Sequence, residues 1–539
     1  MDKPSSSSLK NQKSKEMAVT GFDSINDDLV HNILKRLPAL SFASAACVSK
    51  SWNRICNHIL SRPKFASAMS LNPSSLVCAQ EVVDRVLSEP IRPHFAIANV
   101  VGVFVLRADA ILEFLADKLG SRTPIVLSSA NGIMGRNVVN EEFKEVLPGD
   151  SCSDGDAEEN LDGSCGMVLT VGLVPGLKVE AIPLIGITKV PGMGVVDNFV
   201  MAIRNFSTSV SGSTSPLGII MFGDEESELK CIVEKLDYAL SKETIVVGDE
   251  KAQFVCRSGS EAINIGRRRK VSSGAVALVF ARDREKPYGV GEIQFHAALS
   301  DGVSAIGPRY KAASVRVSTS DYTTWLTARR EGRQDILDGQ RILNDINDDL
   351  GNRIECPALF IGVTRRRKCI IGSEKSRFMT SLAFHAVIGG DEEYLFADGV
   401  GIKTGDYFQF YHSDRNTASS SCTNVSEKLK NLKLGLTNRS FFQTEDVANS
   451  VQEREFIGGF IFSCCGRGES FFGRPNVDSS PFLENFPGIP TAGVFCGGEI
   501  GRGLSLNANE SSEESITCLH VYSSVYLLMS YTPMASLEH

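Results

Sequence analysis

The sequence predicts a multidomain protein in which a small all-α module precedes two α/β lobes. Three short amphipathic helices are expected within residues 25–60, which is too little chain to bury a self-sufficient core. Beyond residue 93, apolar strand-like runs alternate with helical ones, and a second stretch of this kind begins near Ala312. Such alternation is typical of sheets with parallel strands and right-handed crossovers. We therefore expect one helical unit followed by two mixed-sheet lobes.

The helical module is indicated by capping residues and apolar spacing. Apolar residues recur at helical spacing over residues 29–37, directly after Asn26 at the N-cap. Pro38 ends that helix because it lacks an N–H and disfavours helical geometry in the preceding residue. An alanine-rich helix is expected next, and Ser49 caps a third helix that carries Trp52 on its apolar face. A module of this size is expected to need a partner.

The rest of the chain divides by composition. Residues 1–21 are polar and predict a disordered tail. We assign 22–65 to the helical module, 66–91 to a linker with a helix at 75–87, 92–311 to the first lobe and 312–532 to the second. A loop at 150–162 carries six carboxylates and no basic residue, so it is expected to be solvated.

Hydrophobic periodicity predicts the elements of the two lobes. In the first lobe we expect strands at 94–106, 124–127, 167–174, 179–187, 217–222, 244–247, 274–280 and 292–298, with helices at 108–119 and 225–240. In the second lobe we expect helices at 323–330, 340–350 and 425–434, a Ser/Asn-rich loop at 416–424, and strands at 358–362, 394–396, 407–411, 458–462, 491–495 and 521–529.

Composition excludes several classes of protein. The 539 residues carry a net charge of −8, which argues against general nucleic-acid binding. No apolar run approaches the roughly 18 residues of a membrane span, and the N-terminus lacks a secretory signal. The 14 cysteines include no C-x-x-C pair, so reduced thiols are expected rather than disulfides or a zinc site. We expect an intracellular protein of the cytoplasm or nucleus, without a metal or cofactor.

The helical module resembles an F-box. The resemblance is carried by Leu29, Ile33, Leu34, Leu37, Pro38 and the run C-V-S-K-S-W at 47–52. Many F-boxes open with Leu-Pro, and this chain has Ile25-Asn26 there. The resemblance implies docking on a Skp-family adaptor and, through it, on a cullin-RING ubiquitin ligase. It implies adaptor binding by Leu29, Ile33, Leu34, Leu37, Pro38, Val48 and Trp52. The alternative is a three-helix cap whose apolar face packs on its own chain.

The two lobes resemble FIST domains. A FIST N-terminal domain is suggested by the loop at 128–135, the strand-helix unit from residue 217 and the segment 302–310. A FIST C-terminal domain is suggested by F-S-C-C-G-R-G at 462–468 and A-G-V-F-C-G-G-E-I-G at 492–501. F-box proteins with FIST domains act as substrate receptors of SCF-type ubiquitin ligases, which direct target proteins to the proteasome. FIST domains elsewhere are linked to signal sensing and to small ligands.

The glycine-rich pair of segments in the second lobe offers a candidate ligand site. Glycine allows close backbone approach, an arginine fork suits a carboxylate, and a glutamate suits an amine. An amino-acid-like ligand could therefore be held by Arg467, Gly468, Gly498 and Glu499. The alternative is that Arg467 and Glu499 pair with each other while the glycines form tight turns.

Catalysis is the function that the sequence supports least. The sequence has no complete dinucleotide fingerprint, Walker A motif or G-x-S-x-G elbow. Cys464 and Cys465 are conceivable nucleophiles, but thiols on an apolar strand are usually inert. Basic tetrads at 267–270 and 365–368 fit solvated charge, with a nuclear-localisation signal or an acidic-substrate patch as alternatives. We therefore expect a non-catalytic substrate receptor, with a ligand sensor as the alternative.

Overall fold

The computed structural model describes residues 26–147, 165–185, 193–224, 229–259, 273–318, 320–351, 358–371, 375–437, 454–502 and 518–534. The predicted tail at 1–21, the acidic loop at 150–162 and the first basic tetrad at 267–270 lie outside these residues. Among the described helices, none combines the length and the apolar content that a membrane span requires.

The helices in chain order are α1 (Asp27–Leu34), α2 (Ala39–Ala46), α3 (Lys50–Ile59), α4 (Ser75–Val86), α5 (Ala108–Leu119), α6 (Met193–Ser211), α7 (Lys230–Ala239), α8 (Gly339–Leu350), α9 (Arg415–Thr437), α10 (Glu469–Phe472) and α11 (Ser480–Asn485). The first strands are β1 (Lys64–Ser70), β2 (Phe95–Val101), β3 (Ile125–Ser129), β4 (Gly132–Arg136), β5 (Phe143–Val146), β6 (Gly166–Leu173), β7 (Leu177–Ile185) and β8 (Gly218–Gly223). They are followed by β9 (Ile245–Asp249), β10 (Phe254–Arg257), β11 (Ser273–Arg282), β12 (Glu292–Ser300), β13 (Val303–Ser318), β14 (Thr323–Arg330), β15 (Leu359–Cys369) and β16 (Arg377–Gly390). The last strands are β17 (Leu395–Asp398), β18 (Tyr407–Ser413), β19 (Glu455–Cys464), β20 (Thr491–Cys496), β21 (Glu499–Gly501), β22 (Leu519–His520) and β23 (Ser524–Thr532).

The helical module has the three predicted helices and their predicted caps. The Asn26 side chain accepts a hydrogen bond from the amide of Asp28, and Ser49 accepts one from the amide of Trp52. The helices share a small core of five buried side chains: Val30, Leu34, Phe42, Ala45 and Cys56. The sequence-based prediction of three short helices is therefore confirmed.

The segment expected as a linker, 66–91, is part of the first sheet. Strand β1 pairs antiparallel with β6 from Lys64↔Leu173 to Ser70↔Met167. Helix α4 packs its apolar face, which includes Cys78, Val82 and Val83, into the core on that sheet. The structure differs from the expectation because both elements carry apolar faces that a free linker would leave in water.

The described residues of the body form three sheets and a closed barrel. The first sheet has the order β1-β6-β2-β3-β10, the second β22-β21-β9-β8-β11-β7, and the third β12-β23-β19-β20-β4-β5. The predicted strand-helix-strand units form, with β2 parallel to β3 across α5 and β8 parallel to β9 across α7. A third parallel pair, β19 with β20, is joined through α10 and α11.

The two predicted lobes share their sheets. In the third sheet, β4, β5 and β12 come from residues 92–311, whereas β19, β20 and β23 come from residues 312–532. In the second sheet, β21 of the later half pairs with β9 of the earlier half. The largest buried cluster draws on both halves, with the rings of Phe222 and Phe462 6.3 Å apart.

The closed barrel has the strand order β13-β14-β17-β16-β15-β18, and α8 packs against it. Residues 323–330 form strand β14 and not the predicted helix. Thr324, Leu326 and Ala328 are buried at every second position, which is the period of a strand with one face in a core. The helical prediction was wrong because this short run contains too few apolar residues to distinguish the two periods.

Residues 416–424, predicted as a surface loop, lie within helix α9. The helix buries Ala418, Cys422, Val425 and Leu429, which are spaced three or four residues apart. The serine and asparagine residues between them obscured this stripe in the sequence, so the loop prediction was wrong.

Candidate functional site

The helical module leaves an apolar surface uncovered. Leu29 and Ile33 lie one turn apart on α1 and are 57% and 53% exposed, while Val30 and Leu34 on the adjacent face fill the core. Leu40 of α2 and Val48 before α3 are 73% and 66% exposed. We call Leu29, Ile33, Leu40 and Val48 the apolar surface of the module. Four large aliphatic side chains thus remain exposed on a module of three short helices.

The seven residues predicted to bind an adaptor occupy three kinds of environment. Leu29, Ile33, Pro38 and Val48 are exposed. Leu37 and Trp52 are half-buried against the core of the module. Leu34 is fully buried and is a core residue of the module. The sequence analysis did not predict that Leu40 is exposed. Its place in the first turn of the helix that follows Pro38 could have indicated this.

Arg467 is fully buried and is bound on all sides by the protein. Its Nε lies 3.0 Å from Asp478 Oδ1 and its Nη2 lies 2.7 Å from the same oxygen. Nη1 donates to the carbonyl oxygen of Tyr522 at 2.8 Å, and Nη2 also donates to Ser300 Oγ at 3.1 Å. Burial alone lowers the pKa of Arg467, but the Asp478 carboxylate outweighs it and raises that pKa.

Asp478 is the second centre of this network. Ser463 Oγ donates to it at 2.8 Å and Ser524 Oγ at 2.9 Å, and the Tyr526 hydroxyl donates to its backbone carbonyl at 2.8 Å. The network joins β19, β23 and the loop before α11. Arg467 therefore pairs with Asp478 and not with Glu499, the partner in the alternative to a ligand role, and its side chain is fully buried.

Glu499 lies on β21 and is also fully buried. Its Oε2 accepts hydrogen bonds from the amide of Ser523 at 3.2 Å and from Ser523 Oγ at 2.8 Å. Its Oε1 has no hydrogen-bond partner among the described residues. Burial raises the pKa of Glu499 well above its ordinary value, so the carboxyl group is held toward its neutral form.

A cavity of about 440 Å³ lies between α7, strand β16 of the barrel and the β21–β22 pair. Of the four predicted ligand residues, Gly498 and Glu499 line this cavity, and Arg467 and Gly468 do not. Gly468 instead has φ +101° at the start of α10, where a Cβ atom would lie 2.5 Å from Leu147 Cδ1. The predicted four-residue site is therefore divided between a cavity wall and a buried structural network.

The two adjacent cysteines have different environments. Cys464 lines the cavity, and the hydrogen bond to Cys465, followed by burial, raises the pKa of its thiol well above the ordinary value. Cys465 is exposed, and its hydrogen bond with Cys464 lowers the pKa of its thiol to about 6, with further lowering by Asn131 and Lys251. Of the two adjacent thiols, Cys465 is therefore the more acidic.

The second basic tetrad, residues 365–368, lies within β15 and alternates between two environments. Arg365 is buried, with Nη2 2.5 Å from His385 Nε2. Arg367 lines the cavity and pairs with Glu234 at 3.5 Å. Arg366 and Lys368 are exposed, and the Arg366 guanidinium lies 5.0 Å from the centre of the Phe378 ring. Arg366 and Lys368 are therefore solvated, whereas Arg365 and Arg367 are part of the barrel wall.

Within the described ranges, no group of three or more His, Cys, Asp or Glu side chains could hold a metal ion.

Comparison with known families identifies two segments. The F-box domain model matches residues 22–63, and the FIST C domain model matches residues 362–502. The first match covers α1 to α3, and the second runs from the barrel strand β15 to the end of β21.

Among individual proteins, one relative is similar over nearly the whole chain and two others over shorter segments. An F-box/LRR-repeat protein of Arabidopsis thaliana is 43% identical over 535 residues, which is 97% of this chain and 97% of that protein. F-box only protein 12 of Arabidopsis thaliana is 31% identical over 133 residues, which is 24% of this chain and 32% of that protein. An uncharacterized protein of Mycobacterium tuberculosis is 44% identical over 52 residues, which is 10% of this chain and 14% of that protein. The part of the chain that the structure describes forms the sheets and barrel above and contains no leucine-rich solenoid.

Proposed function

The chain belongs to the F-box proteins and carries a FIST C domain, and from this premise we propose that it is the substrate-recognition subunit of an SCF-type ubiquitin ligase. Its F-box would bind a Skp-family adaptor, and its sheets and barrel would recruit a target protein for ubiquitination and proteasomal degradation. This role would place the protein in the cytoplasm or the nucleus.

The apolar surface of the F-box is the observation that carries the proposal. Its four side chains remain in water although the chain behind them has a large apolar core. Complete burial of a leucine, isoleucine or valine side chain contributes about 1.5–3 kcal/mol. Covering Leu29, Ile33, Leu40 and Val48 with a partner would therefore supply a substantial part of a stable interface.

The proposed role is non-catalytic. Other subunits would transfer ubiquitin, and this chain would contribute proximity by holding the target beside them. The FIST N-terminal resemblance of residues 92–311 remains a prediction. The target-binding surface is expected on the body, because the F-box helices are occupied by the adaptor.

The proposal is tested by measuring adaptor binding to a Leu29→Asp/Ile33→Asp variant. Both side chains are exposed, so the F-box core of Val30 and Leu34 stays intact while two charges enter the proposed interface. We expect the dissociation constant for a Skp-family adaptor to rise by about a hundredfold, since two desolvated apolar contacts are lost. Leu37 is unsuitable for this test because it packs on the F-box core.

A matched control is Leu106→Asp. Leu106 lies in the 3₁₀ turn Gly102–Arg107 of the body and is 89% exposed, so this variant adds charge at an exposed leucine outside the F-box. It should bind the adaptor like the wild type and should still recover ubiquitin conjugates on affinity purification. Unchanged binding by the F-box variant, or equal loss by both variants, would reject the assigned surface.

A second candidate function is supported by the cavity. A ligand bound between α7, β16 and the β21–β22 pair would contact both halves of the chain. The protein would then act as a small-ligand sensor, with or without its role in a ligase. Target binding that depends on a metabolite would favour this candidate.

A further inference from the structure

The outer face of the barrel carries a cluster of three cations. Lys311 of β13 lies between the buried residues Tyr310 and Ala312, so its side chain points away from the barrel core. The strand register places Arg316 of β13 and Arg329 of β14 on the same outer face. None of these three side chains forms an ion pair with an acidic residue among those that the structure describes. We call Lys311, Arg316 and Arg329 the cationic face of the barrel.

Two of these cations lie directly opposite each other. Lys311 and Arg329 are register partners in the antiparallel pair of β13 and β14, next to the buried pair Ala312 and Ala328. Directly opposed residues have Cβ atoms about 4.5–5.5 Å apart, and like charges in this position destabilise the sheet. A carboxylate placed between them would replace this repulsion with two attractive interactions. The arrangement is therefore expected of a surface that receives an anionic partner.

Aromatic rings hold the cations along the sheet. Tyr407 of β18 is the register partner of Lys311, whose Nζ lies 5.0 Å from the centre of the Tyr407 ring. The guanidinium of Arg309 lies 4.7 Å from the centre of the same ring, and that of Arg316 lies 5.0 Å from the centre of the Tyr394 ring. Such contacts are favourable and restrict the long side chains. Binding of a partner therefore costs less side-chain entropy.

An exposed tryptophan adjoins the cationic face. Trp325 of β14 is the register partner of Arg316 on one side and of Phe396 on the other. Its ring packs edge to face on Phe396, with 5.5 Å between the ring centres, yet Trp325 remains 37% exposed. Trp325 and Arg329 are separated by about 13 Å along β14, at roughly 3.3 Å per residue. The surface therefore joins an apolar contact to a group of cations over the length of a short peptide.

Two kinds of anion match such a surface, an acidic peptide and a single-stranded nucleic acid. Nucleic-acid bases need open ring faces for stacking, and the rings of Tyr394 and Tyr407 have a cation over them. The net charge of −8 also disfavours binding of a long polyanion. Glu392 and Glu393 are exposed directly before Tyr394 and limit the cationic face on that side. These observations favour a short acidic peptide.

We propose that the cationic face of the barrel binds a short acidic peptide that carries an aromatic side chain. Carboxylates of the peptide pair with Lys311, Arg316 and Arg329, and its aromatic side chain packs on Trp325. For the identity of the partner this inference rests on the proposed ligase function: the peptide is the recognition segment of the target protein. The surface belongs to β13 and β14, outside the F-box helices, so the adaptor and the target bind to different parts of the chain.

The chemistry of the peptide is tested with synthetic probes and the full chain. Binding of fluorescein-labelled Gly-Glu-Glu-Phe-Glu-Glu-Gly is measured by fluorescence anisotropy, beside peptides in which Gln replaces every Glu or Ala replaces Phe. We expect the first peptide to bind at least about tenfold more tightly than the Gln peptide and about threefold more tightly than the Ala peptide. Equal binding of the Glu and Gln peptides, no binding of the first peptide, or tighter binding of labelled oligouridylate would overturn the proposal.

Substitutions on the barrel locate the binding surface. Lys311→Gln/Arg316→Gln removes two exposed charges and should weaken binding of the first peptide by about tenfold or more. The matched control is Arg366→Gln/Lys368→Gln, which removes two exposed charges from β15, a strand separated from β13 by β18. Both variants have the same net charge, so the control should stay within about twofold of the wild type if the attraction is local. Equal loss in the two variants would mean general attraction to the chain and would overturn the proposal.

A reconstituted reaction separates this inference from the ligase role. A reporter protein that carries the first peptide is incubated with the full chain, a Skp-family adaptor and the remaining ligase subunits, and its ubiquitination is measured. We expect conjugates with the wild type and with the β15 control, and fewer with Lys311→Gln/Arg316→Gln. Peptide binding without conjugates would support the surface and reject the ligase role. Equal amounts of conjugate with all three proteins would support the ligase role and reject the surface.

Discussion

Arg467 and Asp478 show how one residue pair can hold several elements together. The pair is fully buried, and its hydrogen bonds reach Ser300 at the end of β12 and Tyr522 before β23. Gly302 lies against the same network, where a Cβ atom would come 1.8 Å from the Tyr522 carbonyl oxygen. A glycine is therefore required there, and the arginine serves the packing of the strands rather than a ligand.

We expect Arg467→Met to destabilise the protein by about 3–5 kcal/mol, because it leaves the Asp478 carboxylate buried without its cation. The free energy of unfolding in urea measures this loss. Arg467→Met/Asp478→Asn is the matched control, since it removes both charges and should recover part of the stability. A loss below about 1 kcal/mol for the single variant would mean that water reaches Asp478 and that the pair is not structural.

At the scale of elements, β1 and α4 connect the F-box to the body. Strand β1 is an edge strand of the first sheet, and α4 covers that sheet with Cys78, Val82 and Val83. The amide of Ala39 in α2 donates to the carbonyl oxygen of Leu87 at the end of α4, at 2.9 Å. The F-box is thus hydrogen-bonded to an element that is itself part of the core.

Truncation tests this placement. A chain that begins at residue 62 loses the tail and the three F-box helices but keeps β1 and α4, and it should unfold cooperatively like the full chain. A chain that begins at residue 92 also loses β1 and α4, so it should expose the buried residues Ala96, Ala98 and Leu169 of the first sheet and aggregate. Size-exclusion chromatography and thermal unfolding distinguish these outcomes. A soluble, cooperatively folded chain from residue 92 would show that residues 66–91 are dispensable.

At the scale of the whole molecule, the two predicted lobes form one interleaved body. Strand β12 pairs with β23 from Glu292↔Thr532 to Ser300↔Ser524, and β4 pairs with β20. The largest apolar core takes Phe280 and Phe295 from the earlier half and Phe460 and Phe462 from the later half. The cavity also depends on both halves, with α7 on one side and the β21–β22 pair on the other.

Division of the chain between residues 311 and 312 tests this interleaving. Each fragment alone should fail to fold, because β12 and β4 would lose their partners and the shared core would be exposed. Co-expression of the two fragments should restore a soluble complex, as measured by co-purification and circular dichroism. Independent cooperative unfolding of either fragment would support the two-lobe division predicted from the sequence.

The sequence by itself determined the F-box helices, the parallel strand-helix-strand units and the glycine-rich segments around 466 and 498, because caps, prolines and local periodicity are encoded within a few residues. The residue motifs of the F-box and of the FIST C domain were likewise legible in order along the chain. Apolar periodicities that are short or interrupted by polar residues could not be recognised in the sequence. For this reason β14 was predicted as a helix and the first part of α9 as a loop.

Only the tertiary structure decided which of the named residues meet. Leu34 lies in the F-box core, whereas Leu40 is exposed. Arg467 pairs with Asp478, and Glu499 lies opposite His520 in the β21–β22 pair. These outcomes depend on strand pairings between residues hundreds of positions apart, such as β9 with β21. The free energy of such contacts comes from burial and hydrogen bonding in the assembled sheet, and no local pattern carries that information.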